Sequence, residues 1–285
     1  MYPRDRALLD LLDEHLVLTT GQIDHALFGA LRACQRRLAH LRGLELVDRF
    51  TLPRPRSGGS VQGHWALGRL GLDWHAAARE EPPATARAAR LRLARLAHRP
   101  TLAHLLGVNS FFTALMGVAR NRPDTALVRW WSEPTATRLF TAVFPDGHGL
   151  WHENGRTVGF FLEYDTGTEN LPRLVDKLGG YEQLAADGGP VYPVLFSLHS
   201  PARETNLHTA LAGRLGRVPV ATTTRPTPDP SAAVWAPVGG DPARRLRLAD
   251  LPSDHGPRSR RNATWPDGQL TDDTGRDSHH VVPES

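Results

Sequence analysis

The stretch Phe160-Phe161-Leu162-Glu163-Tyr164-Asp165 decides the fold. An apolar run that turns acidic only at its end reads as a central strand. Side chains two apart on a strand share a face, so Phe161, Glu163 and Asp165 point one way and Phe160, Leu162 and Tyr164 the other. Two carboxylates on a buried face are costly unless they are solvated, paired or holding a cation. Carboxylates with water suit Mg²⁺ or Mn²⁺, the ions of phosphodiester hydrolysis.

Working outward, Pro145-Asp146-Gly147 is an acid on a turn, and Glu153-Asn154-Gly155-Arg156 carries the Asn-Gly signal of a hairpin leading into the acidic strand. Glu133 follows the Trp130-Trp131 strand, and Glu169 ends the loop after Asp165. Strands are expected over 127–131, 149–152, 158–165, 191–198 and 218–223, with a short one at 232–237. Helices are expected over 170–186 and 203–215, which gives a mixed α/β domain. The first of these helices carries Lys177, the only lysine among 34 Lys and Arg residues. Its apolar stripe is Leu171, Leu174, Val175, Leu178 and Tyr181, and Lys177 falls about 100° from the centre of that stripe. A lysine there can lean over the sheet or simply snorkel to solvent.

Upstream, residues 5–16 have the leucine spacing of an amphipathic helix, and the threonines at 19–20 cap a second helix over 22–28. A third helix spans 31–41, with Leu31, Cys34, Leu38 and Leu41 on one stripe and Arg32, Gln35, Arg36, Arg37 and Arg42 on the other face. Gly43 is expected to end it in a left-handed conformation. Strands at 44–50 and 64–67 flank a loop holding Arg54 and Arg56, and a helix over 68–78 closes the unit. Three helices and a hairpin is the order of a winged helix-turn-helix, whose third helix would enter the major groove while Arg54 and Arg56 touch phosphate. Charge agrees: residues 1–100 hold 16 Arg against 10 acids, whereas 101–285 hold 18 basic against 20 acidic residues. The positive excess is N-terminal, which points to double-stranded DNA as the partner of that half.

The expected organisation is therefore α+β. A winged helix occupies 1–80, a helical connector 81–122, a nuclease-like domain 123–240 and a mostly disordered tail 241–285. Within the connector, helix 101–120 could pack on the sheet or form a homodimer contact. One cysteine, Cys34, excludes an internal disulfide and a cysteine zinc site. No apolar run approaches the roughly 20 residues of a membrane span and no signal peptide opens the chain, so a cytoplasmic protein with no membrane partner is expected. The histidines lack zinc-helix spacing, Ser197-Leu198-His199-Ser200 lacks the glycines of a nucleophile elbow, and Ser57-Gly58-Gly59 lacks a P-loop lysine.

Glu133, Phe144-Pro145-Asp146-Gly147, the run from Phe160 to Glu169 and Lys177-Leu178-Gly179-Gly180-Tyr181 together resemble the replication-relaxation family, over roughly residues 5–220. The resemblance implies a role in plasmid or mobile-element DNA replication or relaxation. It also implies a C-terminal domain similar to the PD-(D/E)xK nucleases, also called restriction-endonuclease-like. On that basis the catalytic set is Glu133, Asp146, Glu163 and Lys177, with Asp146, Glu163 and Asp165 as ligands of Mg²⁺ or Mn²⁺. The superfamily pattern departs at one point: its lysine stands two residues after the second acid, where this chain has Asp165. Lys177 would have to serve instead, or the fold would act as a non-catalytic DNA-binding replication or transcription factor.

Overall fold

The computed structural model describes residues 1–52, 62–241 and 243–255. It divides into two compact units, one ending at Asn121 and the other beginning at Arg122.

The first unit opens with α1 (Pro3–His15), the short strand β1 (Leu18–Thr19) and α2 (Thr20–Ile23), which widens into a π turn over Asp24–Phe28. Thr19 and Gln22 form a reciprocal capping box: the Gln22 N–H donates to Thr19 Oγ1 (3.2 Å) and the Thr19 N–H to Gln22 Oε1 (2.8 Å). Next come α3 (Leu31–Gly43), β2 (Val47–Thr51), β3 (Gly63–Leu67) and α4 (Arg69–Ala78). The sheet order is β1-β3-β2, all antiparallel. Leu8, Leu12, Ile23, Leu27, Cys34, Leu38 and Leu41 are buried as the helical stripes require, but Leu31, expected on the α3 stripe, is exposed at the helix start.

Gly43 does not take the left-handed position. The helix runs through it, and the positive φ falls on Glu45 (54°). The amides of Leu44 and Leu46 bond back to His40 and Leu41, so the backbone at 44–46 finishes the helix and β2 starts only at Val47.

The segment expected to be a connector contains α5 (Ala86–Ala97) and α6 (Leu102–Asn121), and α6 is part of the first unit. Gln22 Nε2 donates to Leu106 O (2.7 Å) and Ser110 Oγ (2.8 Å), and Asn109 Nδ2 donates to Val17 O (2.8 Å). Gly117 admits the His25 ring, which a Cβ would meet at 1.9 Å. The helix also corrects the reading of apolar runs. It is 20 residues long with a mean hydropathy of 1.5 in its best window, the length and composition of a spanning segment, and half of that window is buried inside the protein.

The second unit is a six-stranded sheet of order β4-β5-β6-β7-β8-β9. β4 (Thr125–Ser132), β5 (Gly147–Glu153) and β6 (Arg156–Tyr164) form an antiparallel meander. β7 (Val194–Leu198) and β8 (Val220–Thr224) continue it in parallel, and β9 (Ala236–Pro237) closes the edge. The parallel steps are bridged by α8 (Leu171–Ala186) and α9 (Pro201–Leu211), whose Asn170 and Ser200 side chains cap them at residues 173 and 203. A further helix, α7 (Glu133–Phe140), stands between β4 and β5; periodicity gave it no range, and the family resemblance gave only Glu133 as a first-helix acid.

The 241–285 expectation needs correction up to residue 255. Leu248, Ala249 and Leu251 are buried, and Ser253 exchanges hydrogen bonds with both backbone groups of Gly159. Asp254 bridges to Val191. Arg245 makes two 2.8 Å bonds to Glu204, and Arg247 pairs with the buried Glu153. This stretch is a strap over the sheet, and the pairing of its arginines with interior carboxylates is what holds it. Residues 256–285 lie outside the described residues.

Candidate functional site

Strand register assembles the acids. Ser132 pairs with Gly147 and Gly147 with Leu162, so one step further along each strand Glu133, Asp146 and Glu163 stand abreast at one end of the sheet. Asp146 is fixed by its own backbone, its N–H donating to Leu162 O (3.0 Å), and its Oδ2 accepts the Tyr164 N–H (2.6 Å). Glu133 is exposed in the first turn of α7. Trp130 and Trp131, just before it, are buried in the core.

Glu163 is the centre of the cluster and only 1% exposed. Its Oε2 accepts from Lys177 Nζ at 2.8 Å and its Oε1 from the Tyr181 hydroxyl at 2.6 Å. Lys177 and Tyr181 are four apart on α8, hence on one helix face directed at the end of β6. Lys177 also lies 3.3 Å from Glu169 Oε2. Burial and the neighbouring Asp146 charge raise the Glu163 carboxyl to about 7, against the opposing pull of Lys177 and Tyr181. Burial works against the Lys177 ammonium, but the charge of Glu163 and its hydrogen bond outweigh it and hold Lys177 above its ordinary range. The Tyr181 hydroxyl is pushed well up by burial and by Glu163.

Asp165 does not join this group. Its Oδ2 takes Arg203 Nε (2.9 Å) and lies 3.4 Å from His199 Nδ1, and its Oδ1 takes the Gly167 N–H (3.0 Å). Burial raises its carboxyl, yet the Arg203 bond and the Gly167 N–H more than reverse that and leave it lowered. The strand ends at Tyr164, and Asp165 turns to donors from α9 while Glu163 turns to α8. As a metal ligand Asp165 is therefore withdrawn: its acceptor sites serve an ion pair that ties β6 to α9. Arg225 reinforces the same corner, donating to Ser197 O (3.1 Å) with its guanidinium 3.8 Å over the Tyr164 ring. Arg203 and Arg225 were not singled out from sequence, and His199 was weighed only as part of a nucleophile elbow. Only Ser200-Pro201, a helix start at the end of a strand, marks where Arg203 would emerge.

Among the described residues no three His, Cys, Asp or Glu side chains are placed to share a metal ion. Asp146 and Glu163 offer hard carboxylate oxygens of the kind Mg²⁺ or Mn²⁺ takes, although Asp146 Oδ2 and both Glu163 oxygens already accept hydrogen bonds within the protein.

In the first unit, Arg32, Gln35, Arg36 and Arg42 are exposed along α3. Arg37 is not available in the same way. Its guanidinium grips Asp5 of α1 (Nε to Oδ1, 2.8 Å) and stacks 4.8 Å from the Tyr2 ring, with Asp5 only 2% exposed. Arg37 holds α3 to α1. Arg54 and Arg56 lie outside the described residues. Arg49 of β2, which the sequence reading passed over, is exposed beside α3 with its guanidinium 5.8 Å from the Trp65 ring.

The fold and its site define an α+β protein of two units, one helical with a small sheet and one built on a mixed sheet with a buried carboxylate–lysine pair at its end. The sequence profile of the replication-relaxation family matches residues 9–193, and the chain belongs to that family. No curated protein and no solved structure matches it.

Proposed function

We propose that this chain is a cytoplasmic, DNA-binding protein of plasmid or mobile-element replication or relaxation. In this reading the first unit is a winged helix that engages duplex DNA through α3, and the second is a nuclease-like domain that hydrolyses a phosphodiester. The observation that carries it is the alignment of Glu133, Asp146 and Glu163 across three strand ends, with Lys177 2.8 Å from Glu163. Acids with a lysine against one of them are what such hydrolysis needs, and α8 supplies the lysine that the strand lacks.

Asp146 and Glu163 would hold Mg²⁺ or Mn²⁺, which when bound supplies Lewis-acid charge at the phosphoryl group and acidifies water. The protein's own residues have distinct tasks. Glu163 presents its carboxylate to the Lys177 ammonium. The Lys177 ammonium stays charged and stands where negative charge develops on the phosphate. Tyr181 fixes the Glu163 carboxylate so that only one of its oxygens faces Lys177.

A second reading has its own support. Both Glu163 oxygens already accept hydrogen bonds, which favours a non-catalytic DNA-binding factor whose nuclease-like fold serves assembly. Supercoiled plasmid incubated with the protein and Mg²⁺ or Mn²⁺ separates the two. Nicking or linearisation that Asp146→Ala abolishes supports hydrolysis. Wild type and variant that bind DNA equally and leave it supercoiled reject it.

A further inference from the structure

The first unit contains a cleft of about 600 Å³ between α3 and the β2–β3 pair, and Gln35, Ala39, Gly43, Arg42, Arg49 and Trp65 face it. Gln35, Ala39 and Gly43 recur every four residues, so a single stripe of α3 forms one wall. That wall is low because two of the three side chains are minimal; a Cβ at Gly43 would have nothing within 4 Å. Opposite stand Arg49 and the buried Trp65, whose indole N–H is spent on Thr20 Oγ1 (2.9 Å). Among the described residues the lining holds two guanidinium groups and no carboxylate. The acid that answers them is Asp48, outside the cleft. Arg42 reaches it only at 3.3 Å, with the two side chains 52% and 41% exposed, and its Oδ1 also accepts the Arg49 backbone N–H (2.7 Å). A solvated pair of that kind is weak and readily exchanged for a stronger anion.

We infer that this cleft seats a DNA backbone phosphate between Arg42 and Arg49, so that one strand of the duplex lies in the trough between α3 and the hairpin. The inference rests on the DNA-binding reading and adds to it the place where the backbone docks and two residues that grip it. A planar fork of donors on each side suits a phosphodiester, and the low α3 wall gives the backbone depth that a larger side chain would remove.

The test is fluorescence anisotropy of a labelled duplex across a salt series, using the full chain. Gly43→Leu fills the trough from a helical position where leucine is a better helix former than glycine, so its melting temperature should equal or exceed that of wild type. Its affinity should nevertheless fall at least tenfold. Arg49→Gln should flatten the dependence of log K on log salt by about one unit, the signature of one lost phosphate contact. Inorganic pyrophosphate should compete poorly with duplex, whereas equal competition would make the cleft a small-anion site and overturn the backbone assignment. If wild type binds duplex and both variants match it in affinity and slope, the trough is empty in the complex and the inference fails alone. If wild type binds no duplex, the DNA-binding reading fails with it. Arg32→Ala with Arg36→Ala separates the cases further, because its loss of binding beside an unaffected Gly43→Leu leaves DNA binding standing and removes only the trough.

Discussion

Lys177 Nζ and Glu163 Oε2 meet at 2.8 Å although the two residues sit on different elements, one on a crossover helix and one at the end of the central strand. The pair puts a lysine beside the second acid from outside the strand. Replacing Lys177 by methionine keeps the aliphatic stem and removes the charge. Plasmid nicking should then fall at least a hundredfold while duplex affinity is unchanged. The buried carboxylate loses its counter-ion, so the fold should also lose about 3 kcal/mol at pH 8, measured by urea unfolding. Undiminished nicking by Lys177→Met would remove the lysine from the chemistry.

Glu163 should impose a pH dependence on stability. Its folded value of about 7 exceeds the ordinary 4.5, so between those values the folded chain keeps a proton that the unfolded chain has released. The stabilising effect is full below pH 4.5 and disappears as pH rises through 7. The raised Lys177 acts in the same direction, but only in strongly basic solution, beyond this window. The difference amounts to something on the order of 3 kcal/mol. Melting curves at pH 5 to 8 should therefore fall more steeply for wild type than for Glu163→Gln. Parallel curves would show that the carboxyl is not held protonated.

Arg37 and Arg36 are sequence neighbours with opposite tasks. Arg37→Ala leaves Asp5 buried without its guanidinium and should cost about 3 kcal/mol. Arg36→Ala lies on the exposed face and should change stability by less than about 0.5 kcal/mol while weakening duplex binding. A reversed pattern in thermal melts and anisotropy would reject this division.

The strap gives a fourth expectation. Burial raises the Glu204 carboxyl, but the Arg245 and Thr222 hydrogen bonds overcome this and hold it low. Its contribution is present above pH 4.5 and is lost as pH falls through the lowered value. Arg245→Met should destabilise the second unit at pH 7, by roughly 1 kcal/mol once screening of the partly exposed guanidinium is allowed for, and by much less near pH 3. A loss that does not change with pH would point to packing instead of the ion pair.

Much of the second unit was legible because its signals are local. The apolar runs at 127–131 and 158–165 and the Asn154-Gly155 hairpin each lie within a residue or two of the observed strands. The reach of Lys177 could be posed from helix geometry, but its outcome depended on how α8 lies on the sheet, which no local pattern encodes. Asp165 was misread for the same reason: its partner Arg203 is thirty-eight residues away. Helix α7 was given no range from local pattern, although the family resemblance makes Glu133 a first-helix acid and Pro134 in the first turn is a helix start. The strap was missed because Arg245 and Arg247 look like solvated charges until Glu204 and Glu153 are placed beside them.

The position of β7 separates two kinds of information along the chain. Every member of the acid–lysine cluster precedes residue 182, and the family match ends at residue 193, immediately before β7 begins at Val194. A polypeptide halted at that point would carry the whole acid–lysine cluster, yet the strand bearing Glu163 would be an unpaired edge, open to adding a strand from another molecule. The residues that follow supply β7, which pairs with that edge in parallel from Phe161 to Tyr164.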